Sequence, residues 1–68
     1  MDFKLKLEFI ELDNLLKTLD FAASGAQAKQ YILAGSVKVN RQVENRVRRK
    51  LRAGDFVEFA TQRIQIVA

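Results

Sequence analysis

A chain of 68 residues has room for one small domain, and with no Cys and no His it has to build its core without a disulfide or a zinc site. No apolar run approaches the roughly 20 residues that span a bilayer, and the start Met1-Asp2-Phe3-Lys4 lacks the basic and apolar regions of a signal peptide, so a soluble, cytoplasmic monomer without a membrane partner is expected. The net charge of +4 is unevenly spread: residues 29–52 hold eight cations against Glu44 alone, a net +7, whereas residues 1–28 sum to −2 and residues 53–68 to −1. Such a field attracts polyanions and makes their binding depend on salt.

Phe3, Leu5, Leu7 and Phe9 alternate with Lys4, Lys6 and Glu8, the period of a strand buried on one face. The period then changes. Leu12, Leu15, Leu16 and Leu19 line one side of a helix, with Glu11 and Asp13 at its start, where the helix dipole favours negative charge. Ser24 opens a second helix, and Gln27 completes a capping box. Ala28, Tyr31 and Ile32 form its apolar face, and Gly35 ends it in a left-handed turn.

The rest reads as β-structure. Val37 and Val39 flank Lys38, Asn40-Arg41 is a turn, and Val43 resumes the apolar pattern. Gly54-Asp55 turns the chain into a strand from Phe56 to Phe59, and Ile64 to Val67 form the last strand. The expectation is an α+β domain spanning residues 1–68, with two N-terminal helices packed on a small, mainly antiparallel sheet. Phe3, Phe9, Phe56 and Phe59 are all expected in the core, with Phe21 on the connection between the helices.

From Leu12 to Val57 the residue order resembles the S4 RNA-binding domain, whose fold carries the αL motif. The resemblance rests on Ser24, Ala28, Tyr31-Ile32, Gly35, Val37, Val39-Asn40, Gly54-Asp55 and Val57, and covers about two thirds of the chain. Ser24-Gly25, Ala28-Lys29, Val43-Glu44-Asn45-Arg46 and Lys50-Leu51-Arg52 are similar to short members of that family made of little more than the domain. The resemblance implies binding to structured RNA, with ribosomal RNA or ribosomal particles as the partner and a role in translation. Two positions depart from the family pattern. Gly25 replaces the Arg common after the capping Ser, and Arg41 stands where the family has Gly. If the turn needs positive φ, Arg41 carries a strain of roughly 1 kcal/mol; otherwise the turn differs.

These residue types suit RNA, which offers closely spaced phosphates and is read mainly by shape where it is helical. The start of the second helix presents free N–H groups and a positive dipole end, with Lys29 along the same helix. Arg46, Arg48, Lys50 and Arg52 alternate with Val47, Arg49 and Leu51. An extended segment there sends all four cations to one face and turns Val47 and Leu51 to the core. The candidate RNA contacts are Ser24, Lys29, Lys38, Asn40, Arg41, Arg46, Arg48, Arg49, Lys50 and Arg52. Arg46, Arg49 and Lys50 are read as removable without opening the core. Tyr31 is read as core and Asp55 as a turn residue.

No Cys or His is present and the carboxylates are scattered singly, so neither a nucleophile–base pair nor a metal-ligand set is found. No enzyme activity, cofactor or metal is expected. A DNA-binding module and a protein-docking module that meets an acidic partner are the competing readings of the same basic face.

Overall fold

The period-2 pattern at the start of the chain forms a strand only as far as it finds a partner. In the computed structural model, which describes residues 1–68, the elements in chain order are β1 (Asp2–Lys4), β2 (Ile10–Glu11), α1 (Leu12–Thr18), α2 (Gly25–Leu33), β3 (Val37–Val39), β4 (Gln42–Val43), β5 (Lys50–Leu51), β6 (Phe56–Phe59) and β7 (Gln62–Val67). β1 runs parallel to β7 with Phe3 opposite Ile66, and Leu5 N–H still donates to Val67 O at 2.8 Å. There β7 ends, so the alternation loses its template. The chain bends through residues 6–8 and leaves Leu7 80% exposed rather than buried.

The expected arrangement therefore needs correction in two respects. Two short strands precede the helices, and the sheet is larger than a small antiparallel one. It has five strands in the order β1-β7-β6-β3-β4, with β1 the parallel member, and a separate pair β2-β5. The reason is that β7 has two usable edges. β6 takes one, in antiparallel register from Phe56↔Gln65 to Phe59↔Gln62, and the opening residues take the other.

The helices form where the sequence places them. Leu12, Leu15 and Leu16 are buried along α1, and Ala28 and Ile32 along α2. They close over Val37, Val39, Leu51, Val57, Ile64 and Ile66 in one core. Tyr31 packs on that core with its ring centroid 5.0 Å from that of Phe59, which also stacks on Phe21 at 5.7 Å.

Both helices end in a Schellman arrangement. At α2, Gly35 has φ +80°, Ser36 N–H donates to Tyr31 O, and Gly35 N–H donates to Ile32 O. At α1 the left-handed position is Asp20, φ +61°, with Phe21 N–H donating to Leu16 O and Asp20 N–H to Lys17 O.

Asn40 and Arg41, at φ +52° and +71°, connect β3 to β4 as a two-residue turn with both central residues left-handed. This is the type I′ geometry that matches strand twist and favours Asn-Gly, so Arg41 is in the strained conformation. Val43 follows on the short edge strand and is 52% exposed, so the apolar pattern does not resume towards the core there.

Two substitutions test this packing by chemical denaturation. Ile32→Ala is expected to cost about 2–5 kcal/mol, because the side chain fills the core. Arg41→Gly is expected to raise stability by about 0.5 kcal/mol, the left-handed strain less the extra freedom of Gly in the unfolded chain.

Candidate nucleic-acid interface

The first amides of a helix have no intrahelical acceptor. In α1 two of them find acceptors in the basic stretch: Leu12 N–H donates to Arg49 O at 2.8 Å and Asp13 N–H to Val47 O at 3.1 Å. Next to this seam, β5 pairs with β2 through Ile10↔Leu51 and Glu11↔Lys50. To present both carbonyls to one helix end the chain has to turn, and Arg49 N–H donates to Arg46 O at 3.2 Å. The extended segment expected over residues 46–52 is thus interrupted by a turn. Leu51 is buried, Val47 packs on the core and Arg46, Arg48, Lys50 and Arg52 are exposed, as expected, but the backbone turns at residues 47–48 instead of staying extended.

Glu44 organises this turn from inside. The residue is 7% exposed, and its carboxylate accepts from four donors. Oε2 takes Arg46 N–H at 3.0 Å and Arg46 Nε at 2.9 Å, while Oε1 takes Arg46 Nη2 at 3.1 Å and Arg49 Nη1 at 2.7 Å. The hydrogen bond from the Arg46 side chain holds the Glu44 pKa down at about 2, against burial, which pushes it up; Arg49 adds a second lowering contact. The same contact raises the Arg46 pKa. Arg46 and Arg49 are therefore not free surface cations, and the expectation that they can be removed without structural consequence is corrected. Each guanidinium still has N–H groups that Glu44 does not use, held in a fixed orientation.

At the start of α2, Ser24 Oγ accepts from Gln27 N–H at 3.1 Å. Gln27 Oε1 accepts from Ala23 N–H at 2.6 Å, so the box closes one residue earlier than the usual pattern. Gly25, Ala26 and Lys29 face Val47 and Arg48 across one concavity, with Asp13 at its edge. Arg46, Arg48, Arg49 and Lys50 line the next.

Beyond Lys50 the surface continues through Phe9, whose ring centroid lies 4.9 Å from Lys50 Nζ and 5.5 Å from Arg52 Cζ. Arg52 N–H donates to Asp55 Oδ2 at 2.8 Å, and Asp55 Oδ1 accepts from Asn40 Nδ2 at 3.1 Å. Asn40 Oδ1 accepts from Phe56 N–H at 2.9 Å, which uses both ends of that amide and makes Asn40 a brace between two turns. Arg41 sits beside it, in a third concavity with Asn40, Phe56 and Gln65.

Shared contacts thus link Lys29, Arg48, Arg46, Arg49, Lys50 and Arg52 in a basic arc, with Ser24 capping the helix beside Lys29 and Asn40 and Arg41 at a separate concavity. Lys38 is not brought to it. Its neighbours Val37 and Val39 point into the core, so Lys38 projects from the opposite face of the sheet, in register with Val43 and Glu58.

Sequence reasoning missed Glu44 and Phe9. The one carboxylate in a stretch of eight cations was the available signal for Glu44. For Phe9 the alternation suggested burial, but Phe9 and Phe56 are half-buried and stand outside the core, whereas Phe3 and Phe59 pack on it.

Residues 3–67 match the S4 domain family. The chain is 49% identical over 59 residues to YbcJ of Escherichia coli K12, an alignment covering 87% of this chain and 84% of that protein. It is 43% identical over 52 residues to RlbA of Bacillus subtilis strain 168, named a probable ribosome maturation protein, covering 76% of this chain and 73% of that one. The solution structure of Escherichia coli YbcJ, described as revealing an αL motif involved in RNA binding, matches with a TM-score of 0.72 at 47% identity, over 98% of this chain and 86% of that one.

The Glu44 clamp predicts an acid-labile component of stability. Between pH 4.5, its ordinary value, and about 2, the unfolded chain binds a proton that the folded chain does not, so this stabilisation is present above pH 4.5 and is lost as pH falls through the folded pKa. Because the Arg46 side chain is 74% exposed, about 1–2 kcal/mol is expected rather than the full value of the shift. Urea melts across that range should show the decline in the unmodified protein and a shallower one in Glu44→Gln.

Proposed function

This chain belongs to the S4 domain family, and from that premise we propose that it is a non-catalytic RNA-binding protein that docks on structured RNA, with ribosomal RNA or ribosomal particles as its target. The observation that carries this reading is the basic arc. Lys29 and Arg48 share one concavity and Arg46, Arg48, Arg49 and Lys50 the next, and backbone hydrogen bonds and the Glu44 clamp hold this run in place. Fixed spacing is what recognition of a phosphate backbone by shape requires, because phosphates position a partner and carry no base sequence.

Within the arc the roles divide by geometry. The start of α2 offers amide donors and a positive dipole end to one phosphate, and Lys29 and Arg48 flank it from the two sides of the same concavity. Arg46 and Arg49 present oriented guanidinium forks, suited to two-point contact with a further phosphate. Lys50, Arg52 and Arg41 extend the positive surface along the next elements. Asn40 and Ser24 serve mainly by holding the turn and the helix start in place.

The relatives support the choice of partner. The structure of YbcJ is described in terms of an RNA-binding motif, and RlbA is named for ribosome maturation. A cytoplasmic site of action and a monomeric state belong to the same proposal.

Substituting Lys29, Arg48 and Lys50 together by Ala is expected to weaken RNA binding at least tenfold and to flatten its dependence on salt, as the loss of about three phosphate contacts requires. The melting temperature should be nearly unchanged, because these three side chains, unlike Arg46 and Arg49, hold no buried acid. Titration of the unmodified protein with a ribosomal RNA fragment, an unstructured RNA of equal length and a DNA duplex in one buffer checks the target. Tightest binding to the ribosomal fragment is expected. Equal affinity for all three would reduce the protein to a general polyanion binder, and preference for the duplex would make it a DNA-binding module.

A further inference from the structure

Phe9 belongs to two surfaces at once. Lys50 and Arg52 of the basic arc stand over its ring. Phe9 also forms a wall, together with Phe3, Leu5 and Ile10, of a groove of about 400 Å³ between residues 3–11 and α1. The groove is open rather than filled: the core does not include Phe9, and Leu7 at its rim is 80% exposed. A soluble domain gains nothing in stability from leaving such apolar surface in water, and surfaces of this kind mark binding sites.

The chemistry around the groove selects its occupant. Its walls are apolar and include aromatic rings. Asn14, Thr18 and Glu11 on its α1 side offer hydrogen-bond donors and acceptors. Lys4 and Lys6 stand at the same groove, and Lys50 and Arg52 stand where it meets the arc. A flat group with an apolar face, a polar edge and an attached anion satisfies all three features, and a nucleotide is such a group. A purely apolar segment would leave four cations unused. The groove is also continuous with the arc through Phe9 itself, so an RNA strand lying on Lys50 and Arg52 is one nucleotide away from it.

We infer that this groove receives one unpaired nucleobase of the bound RNA, stacked on Phe9, while Lys50 and Arg52 hold the flanking phosphates. The inference rests on the RNA-binding reading above and narrows it. The preferred ligand is a helical RNA interrupted by an unpaired nucleotide, such as a single-nucleotide bulge, rather than a continuous duplex. It also replaces the expectation that every Phe of the β-structure is committed to the core.

Two RNA hairpins that differ only in a single-nucleotide bulge test the inference, with the full chain and four measurements. The unmodified protein is expected to bind the bulged hairpin about tenfold tighter than the paired one, the scale of one base–aromatic stack. Phe9→Leu keeps apolar bulk while removing the ring, so it should bind both hairpins alike, at the affinity of the paired one. Arg48→Ala should weaken both by the same factor and keep their ratio. In the unmodified protein, a 4-thiouridine placed at the bulge should photo-crosslink to residues 3–11, a result that does not depend on Phe9→Leu folding. Binding of both hairpins with equal affinity, or crosslinks confined to residues 46–52, would overturn the inference and leave the basic arc as the whole interface. Absence of binding to either hairpin would overturn the RNA reading along with it.

Discussion

Two hydrogen bonds, from the amides of Leu12 and Asp13 to the carbonyls of Arg49 and Val47, decide where the positive charge of this protein stands. Free amides at a helix start need acceptors, and here the acceptors come from the most basic part of the chain. Once that seam forms, the adjoining residues pair as β2 and β5, Leu51 enters the core, and Arg48 arrives opposite Lys29 at the start of α2. The local helix-end requirement and the placement of the basic segment are satisfied by the same bonds.

The arrangement has an electrostatic cost, since cations are gathered near the positive ends of two helices. Acidic groups offset part of it: Asp13 in the first turn of α1, Glu11 opposite Lys50, and Glu44 beneath Arg46 and Arg49. Glu44 is the most effective of these because it is nearly buried, where a charge pair is screened least. It neutralises about one charge of the cluster and leaves the outward-facing guanidinium N–H groups ordered. The excess that remains is exposed and is screened by water and salt.

A similar economy holds at the turns. Asn40 and Asp55 brace two turns against each other, with Asn40 bonded to Phe56 N–H and Asp55 to Arg52 N–H. That brace keeps Arg41 in a left-handed conformation that Gly would adopt more readily. Strain of this kind persists where the surrounding structure over-determines the backbone, and its result here is an exposed cation at the β3–β4 turn.

Much of the fold was legible because its signals are local. Ser24 and Gln27 mark the start of α2, Gly35 marks its end, and the spacing of Leu12, Leu15 and Leu16 marks the buried side of α1; each depends on residues within a turn or two. The concentration of charge in residues 29–52 was equally plain. What depends on a distant partner was not legible. Alternation from Phe3 to Phe9 cannot say where β7 stops, so the exposure of Leu7 and Phe9 was hidden. The spacing of Arg46 to Arg52 cannot say that α1 draws two carbonyls from that run and bends it. Lys38 and Lys29 look alike in the sequence, yet the pleat sends Lys38 to the far face. The sequence by itself determined the two helices, their buried faces and the sign of the surface, because propensity, periodicity and charge act over short range. Only the tertiary structure decided which cations share a surface, which of them Glu44 engages and which aromatic ring stands beside them, because pairing register and helix-end satisfaction are settled between segments far apart in the chain.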